Sequence, residues 1–242
     1  MCTSCIKTKN DTPKKDIFIN KSVLFIGNSY TNGVQKVFRE IIKETPYKDY
    51  KFRFIWGGGA TLNKLINNGR ALKWIKKEKW DVVVLQEQSL TPALEGERQE
   101  SFYESVELLT KEIRKVDAEP LLFLTWGRRD GYQPKKKLLP NFETMQGKLS
   151  VAYDEAAKRN GLRIIRIGEA WSMVIKKDKT LGRRLFANDG SHPSSNGAFL
   201  SACVILKTLF NDPLVSIPTP AALDAKECEK LLETVKGMKK AK

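Results

Sequence analysis

The stretch Ser22-Val23-Leu24-Phe25-Ile26-Gly27-Asn28-Ser29-Tyr30-Thr31 decides the fold. Its apolar run reads as a strand, Gly27 permits a tight turn, and a helical apolar period takes over from Val34 to Lys43. The same passage recurs. Further strand-like runs are Lys51 to Ile55, Asp81 to Leu85, Pro120 to Thr125 and Arg163 to Ile167. Between and after them lie amphipathic stretches: Leu62 to Lys77, Arg98 to Val116, Phe142 to Asn160, a run opening at Ser194 or Ser195 and reaching Phe210, and Ala221 to Lys239. Near-continuous apolar strands alternating with helices belong to a mostly parallel sheet covered on both faces. The expected architecture is an α/β fold: a three-layer α/β/α sandwich around about five strands. Residues 21–242 are read as one domain with a C-terminal helix, and residues 1–20 as a flexible polar segment.

In open α/β sheets, ligands gather at the carboxyl ends of the strands. After the first strand stands Ser29, close to a helix N-terminus whose N–H groups favour an oxyanion, although Ser29 or Thr31 could simply cap that helix. After the second comes Gly57-Gly58-Gly59-Ala60-Thr61, either a set of unobstructed N–H donors or a flexible loop. After the third comes Gln86-Glu87-Gln88-Ser89, which also suits an ordinary solvated loop. The only histidine of the chain, His192, lies in Asn188-Asp189-Gly190-Ser191-His192-Pro193. Asp189, three residues upstream, can hold one ring nitrogen while the other works as a base. Asp189 to Pro193 also read as a plain turn leading into a helix.

Taken together, Gly27-Asn28-Ser29, Gly59-Ala60-Thr61 and Asp189-Gly190-Ser191-His192-Pro193 resemble the blocks of the SGNH/GDSL hydrolase superfamily, over about Lys21 to Phe210. The resemblance implies a flavodoxin-like sheet and a serine ester hydrolase. In it Ser29 is the nucleophile, His192 the base and Asp189 its orienting partner, with Ser29, Gly59 and Gln88 forming the oxyanion hole. Two blocks depart from the family pattern. Asn28 replaces the usual Asp, and Gln86-Glu87-Gln88-Ser89 stands where Gly-x-Asn-Asp is usual, so Gln88 matches the Asn place by distance from the strand, with Gln86 as the other choice. The QEQS block further resembles a bacterial subgroup of the superfamily. The implied relay calls for no metal or organic cofactor. A small acyl group on a small-molecule or carbohydrate ester is the expected substrate, with acetyl esters of carbohydrate first. Tyr30, Trp126 and Arg128 are candidate substrate contacts, as are Arg129 and Tyr132, though Trp126 also suits a core and the arginines a surface. A thioesterase or acyltransferase would use the same residues.

Charge offers a reading from another class. Forty-three Lys and Arg against 28 Asp and Glu leave a formal net charge of +15. The basic residues are scattered: Lys7 to Lys15, Lys73 to Lys79, Arg128 to Lys137, Lys176 to Arg184 and Lys236 to Lys242. Such a field attracts anionic partners without naming one. A non-catalytic protein of this fold binding an anionic polymer is therefore the alternative, whereas no motif for specific nucleic-acid recognition appears. No apolar run is long enough to span a membrane. Cys2 and Cys5 form a Cys-x-x-Cys with no second pair, read as incidental, and Cys203 reads as a small buried hydrophobe. Without an apolar leader the chain as given reads as cytoplasmic, while Cys2 followed by a polar tether would also suit a cell-envelope lipoprotein whose signal is gone. Oligomeric state leaves no mark on the sequence.

Overall fold

The computed structural model describes residues 22–239; the segment 1–20, with Cys2 and Cys5, lies outside the described residues. In chain order the elements are β1 (Ser22–Asn28), α1 (Ser29–Ile42), β2 (Lys51–Gly57), α2 (Leu62–Asn67), α3 (Arg70–Lys77), β3 (Val82–Leu85), α4 (Leu90–Ala93), α5 (Glu97–Arg114) and β4 (Glu119–Phe123). A 3-10 turn (Gln133–Lys135), α6 (Phe142–Asn160), β5 (Arg163–Ile165), α7 (Ile167–Lys177), α8 (Lys179–Arg184), α9 (Ser195–Phe210) and α10 (Ala225–Lys236) follow. The five strands form one parallel sheet in the order β2-β1-β3-β4-β5.

Side chains on a strand point alternately to the two faces, so a strand covered on both sides needs apolar residues throughout. In β1, Val23 and Phe25 join the core under α1, α7, α9 and α10, while Leu24 and Ile26 join the core under α2, α3, α5 and α6. Val82 and Val84 of β3 face the first side, Val83 and Leu85 the second. All eight residues are at most 1% exposed.

Two predicted elements differ from the observed ones. The run Leu62 to Lys77 is two helices, broken at Asn68-Gly69, where Gly69 takes a left-handed φ of 71°. The fifth strand stops at Ile165, because Ile167 already opens α7 and turns its side chain into the core. The basic run Lys176 to Arg184 forms the last turn of α7 followed by α8, whose N-cap Asp178 accepts from Leu181 N–H at 3.0 Å. Other boundaries follow their local signals. Gly161 ends α6 in the left-handed conformation, and Ser194 caps α9 by accepting from Gly197 N–H. Cys203 is fully buried on α9. Among the described residues no helix is long and apolar enough to cross a membrane.

Candidate active site

The chain leaves β1 at Asn28 and enters α1 at Ser29 with no residue between them. After β1 the connections run to opposite sides, with β2 on one flank and β3 on the other, so a crevice opens at the carboxyl ends of β1 and β3. The cap of α1 is Asn28, neither Ser29 nor Thr31. Its Oδ1 accepts from Tyr30 N–H at 2.9 Å, and its Nδ2 donates to Ala60 O at 3.3 Å. An aspartate could not make that second bond, since an ionised carboxylate only accepts. Thr31 is spent elsewhere, donating its hydroxyl to Gln86 Oε1 at 2.8 Å. The Ser29 hydroxyl is thereby left for the histidine.

His192 Nε2 lies 2.8 Å from Ser29 Oγ, and Nδ1 lies 2.5 Å from Asp189 Oδ2. The other carboxylate oxygen accepts the N–H groups of Ser191 and His192, each at 2.9 Å. Partial burial alone would raise the Asp189 carboxyl, but the imidazole and these two N–H groups overcome it and hold it down at about 2. The aspartate stays ionised throughout the neutral range. Both side chains remain open to solvent, with 44% of His192 and 50% of Asp189 exposed, so a substrate can approach.

The turn carrying His192 is fixed from several sides. Phe186 and Pro193 form an antiparallel bridge, Ala187 N–H donates to His192 O at 2.9 Å, and Arg129 N–H donates to Gly190 O at 2.8 Å. Trp126 donates its indole N–H to Ser191 O at 2.9 Å, and the Tyr30 hydroxyl meets Ser191 Oγ at 2.6 Å. Tyr30, Trp126 and Trp171 stack almost parallel, with centroids 4.6 and 4.3 Å apart, and the Tyr30 and His192 rings meet edge to face at 5.5 Å. Two of the candidate substrate contacts are therefore corrected. Trp126 is fully buried and Tyr30 is 5% exposed, so both support the His192 turn from beneath and offer a substrate almost no surface. On α1, Gly33 faces Pro193 so closely that a β-carbon there would stand 2.6 Å from the proline Cγ.

Gly59 sits in a turn closed by Ala60 N–H donating to Gly57 O, with φ at 59° in the left-handed region that favours glycine. Gly59 and Gln88 line one depression of about 460 Å³, together with Thr61, Thr91, Glu97, Arg98 and Ser101. Gln88 accepts from Leu90 N–H through Oε1 at 2.7 Å, which leaves its amide N–H groups without a protein partner among the described residues. Gln86 has no such freedom. It is 1% exposed, its Oε1 accepts from Asn28 N–H and Thr31 Oγ, and its Nε2 donates to Glu87 O.

Glu87 is the residue that sequence reasoning missed, having placed it in a solvated loop. It is fully buried, and its carboxylate accepts Leu62 N–H at the start of α2 and Gln88 N–H at 2.6 Å, while Tyr153 accepts its backbone N–H. It thus ties the Gly59 segment to Gln88. Burial pushes its carboxyl up to about 8, against the pull of those N–H groups. A glutamate between two glutamines gives no hint of burial. The closeness of the α2 start and of Tyr153 supplies it. A depression of about 670 Å³ beside β5 shares no residue with this site; its Arg163 and Arg166 pair with Glu119, Asp154 and Glu169.

Solved structures repeat this architecture. A candidate SGNH hydrolase from Slackia heliotrinireducens superposes with a TM-score of 0.63 at 26% identity, over 77% of this chain and 97% of that one. The fold of this chain is that of the SGNH/GDSL hydrolases. A DUF4886 family protein from Bacteroides uniformis matches the SGNH fold described here over 88% of this chain and 92% of its own, with a TM-score of 0.72 at 19% identity. The acetyl xylan esterase AlAXEase matches 76% of this chain and 98% of its own, with a TM-score of 0.62 at 17% identity. No family model and no curated protein matches the sequence.

Proposed function

We propose that this SGNH-fold protein is a serine ester hydrolase that removes a small acyl group, acetyl in the first instance, from a carbohydrate ester. One observation carries the reading: Asp189, the sole histidine and Ser29 form a continuous hydrogen-bonded chain at 2.5 and 2.8 Å at the sheet's switch point. In this reading His192 Nε2 takes the hydroxyl proton as Ser29 Oγ attacks the ester carbonyl, and ionised Asp189 stabilises the imidazolium. The Ser29 and Gly59 N–H groups and the free amide of Gln88 receive the oxyanion, each such donor contributing about 2.7 to 4 kcal/mol to the transition state. His192 then returns the proton to the leaving alcohol, and water, activated by the same base, releases the acyl group.

Two features support a hydroxylated substrate over a long acyl chain. The depression beside Gly59 is lined by Thr61, Gln88, Thr91, Glu97, Arg98 and Ser101, none with a large apolar side chain to hold a lipid tail, and AlAXEase, of the same fold, is an acetyl xylan esterase.

The test is hydrolysis of p-nitrophenyl acetate, butyrate and octanoate by the wild type, Ser29→Ala and His192→Ala. Turnover should fall as the chain lengthens and drop by roughly 10⁴-fold or more in either variant, as for the loss of a relay member. Equal rates in wild type and Ser29→Ala would sink the assignment.

A further inference from the structure

Arg128 stands after β4 between two residues bonded to the His192 turn: Trp126 holds Ser191 O, and Arg129 holds Gly190 O. Its guanidinium lies over the Tyr132 ring, 4.9 Å from the centroid. Its Nε is buried and meets no acceptor among the described residues, and no carboxylate there pairs with the head group. Its neighbour is unlike it, since Arg129 is engaged by Asp130 at 2.9 Å. An inward Nε without an acceptor leaves the half-buried Arg128 head group, on the segment that holds the His192 turn, with donors for a ligand to satisfy. Tyr30 links the two: burial raises its phenol, and Arg128 is near enough to act against that rise.

We propose that Arg128 binds a carboxylate on the alcohol half of the ester, which makes the substrate an O-acetylated acidic sugar of the uronate class. The proposal rests on the esterase reading above. The alcohol half is indicated by the proton path. The leaving oxygen must be reached by His192 Nε2, so the departing group lies on the side of the His192 turn, where Arg128 sits, while Gly59 and Gln88 line the other side. The carboxylate is indicated by charge and shape. One free guanidinium matches one negative charge and presents a planar fork to a planar acceptor. A phosphate dianion would call on a second cation, and Arg129 is already committed to Asp130.

The experiment compares mono-O-acetylated methyl glucuronoside with mono-O-acetylated methyl glucoside, which differ at the carboxylate, using the wild type, Arg128→Ala and Arg128→Lys. The wild type should favour the glucuronoside about tenfold in kcat/KM, mainly through KM, as expected for one charge-assisted contact. In Arg128→Ala the ratio should approach one, and in Arg128→Lys it should fall between. A wild-type ratio near one, or a ratio untouched by Arg128→Ala, overturns the proposal. Calorimetric titration of methyl glucuronoside into Ser29→Ala, with and without Arg128→Ala, separates the two claims. If the wild type hydrolyses no ester but Ser29→Ala binds the glucuronoside through Arg128, the carboxylate site stands and the esterase reading falls. If Ser29→Ala does not bind it, the carboxylate site falls whatever the activity.

Discussion

Glu87 is the most consequential residue outside the hydrogen-bonded relay. Its carboxyl lies above its ordinary 4.5, at about 8, so folding takes up a proton between those values. The sign follows directly. Stability is fully present below about pH 4.5 and declines as the pH rises towards 8, by at most about 1.4 kcal/mol per unit. Denaturant unfolding followed from pH 5 to 8.5 should record that slope in the wild type and a flatter profile in Glu87→Gln; parallel profiles would mean that Glu87 does not titrate there. The two glutamines beside it separate on the same grounds. Gln88 offers a free amide to the depression, whereas Gln86→Ala would strip acceptors from Asn28 N–H and Thr31 and destabilise the fold. None of this could be read from Gln86-Glu87-Gln88 as letters, because burial here comes from distant parts of the chain, Leu62 twenty-five positions upstream and Tyr153 on α6.

At the scale of elements, the β1–α1 junction bears the most. Asn28 caps α1, which presents Ser29, and holds Ala60, which follows Gly59. Asn28→Ala should therefore cost about 1 kcal/mol for the cap and lower kcat more than it raises KM, checked by thermal unfolding and steady-state kinetics. The strands were legible because a central parallel strand must be apolar on both faces, as Val82, Val83, Val84 and Leu85 are. The two final site residues were legible because Asp189 and His192 lie within one turn. The helices α7 and α8 were not. Arg166 and Ile167 continue the apolar alternation of β5 by composition, and only the packing of Ile167, Ala170 and Trp171 into the core turns that segment into a helix. Similarly, Trp126 was offered to a substrate because its place after β4 is a ligand-facing one, whereas its stacking on Trp171 sends it inward.

Across the described residues, the smaller part of the positive charge is partnered on the surface. Lys76 and Lys115 meet Glu112, Arg159 meets Glu155, and Arg163 meets Glu119. What remains is a diffuse field, screened within roughly 10 Å at 0.1 M salt. For an acetylated polyuronate, kcat/KM should fall several-fold between 0.02 and 0.5 M sodium chloride, on an order-of-magnitude expectation, while that for neutral p-nitrophenyl acetate stays level. Equal salt dependence for both would remove any part for the field in capture. The relay also spans the fold, since Ser29 and His192 are 163 positions apart and arrive on different elements. Where those elements touch, Gly33 meets Pro193 with no room for even one methyl group. That contact works as a clearance gauge. Gly33→Ala would move His192 away from Ser29, and the clash would more than offset the roughly 1 kcal/mol by which alanine suits a helix better than glycine, so that one methyl group loosens the fold and breaks the relay together.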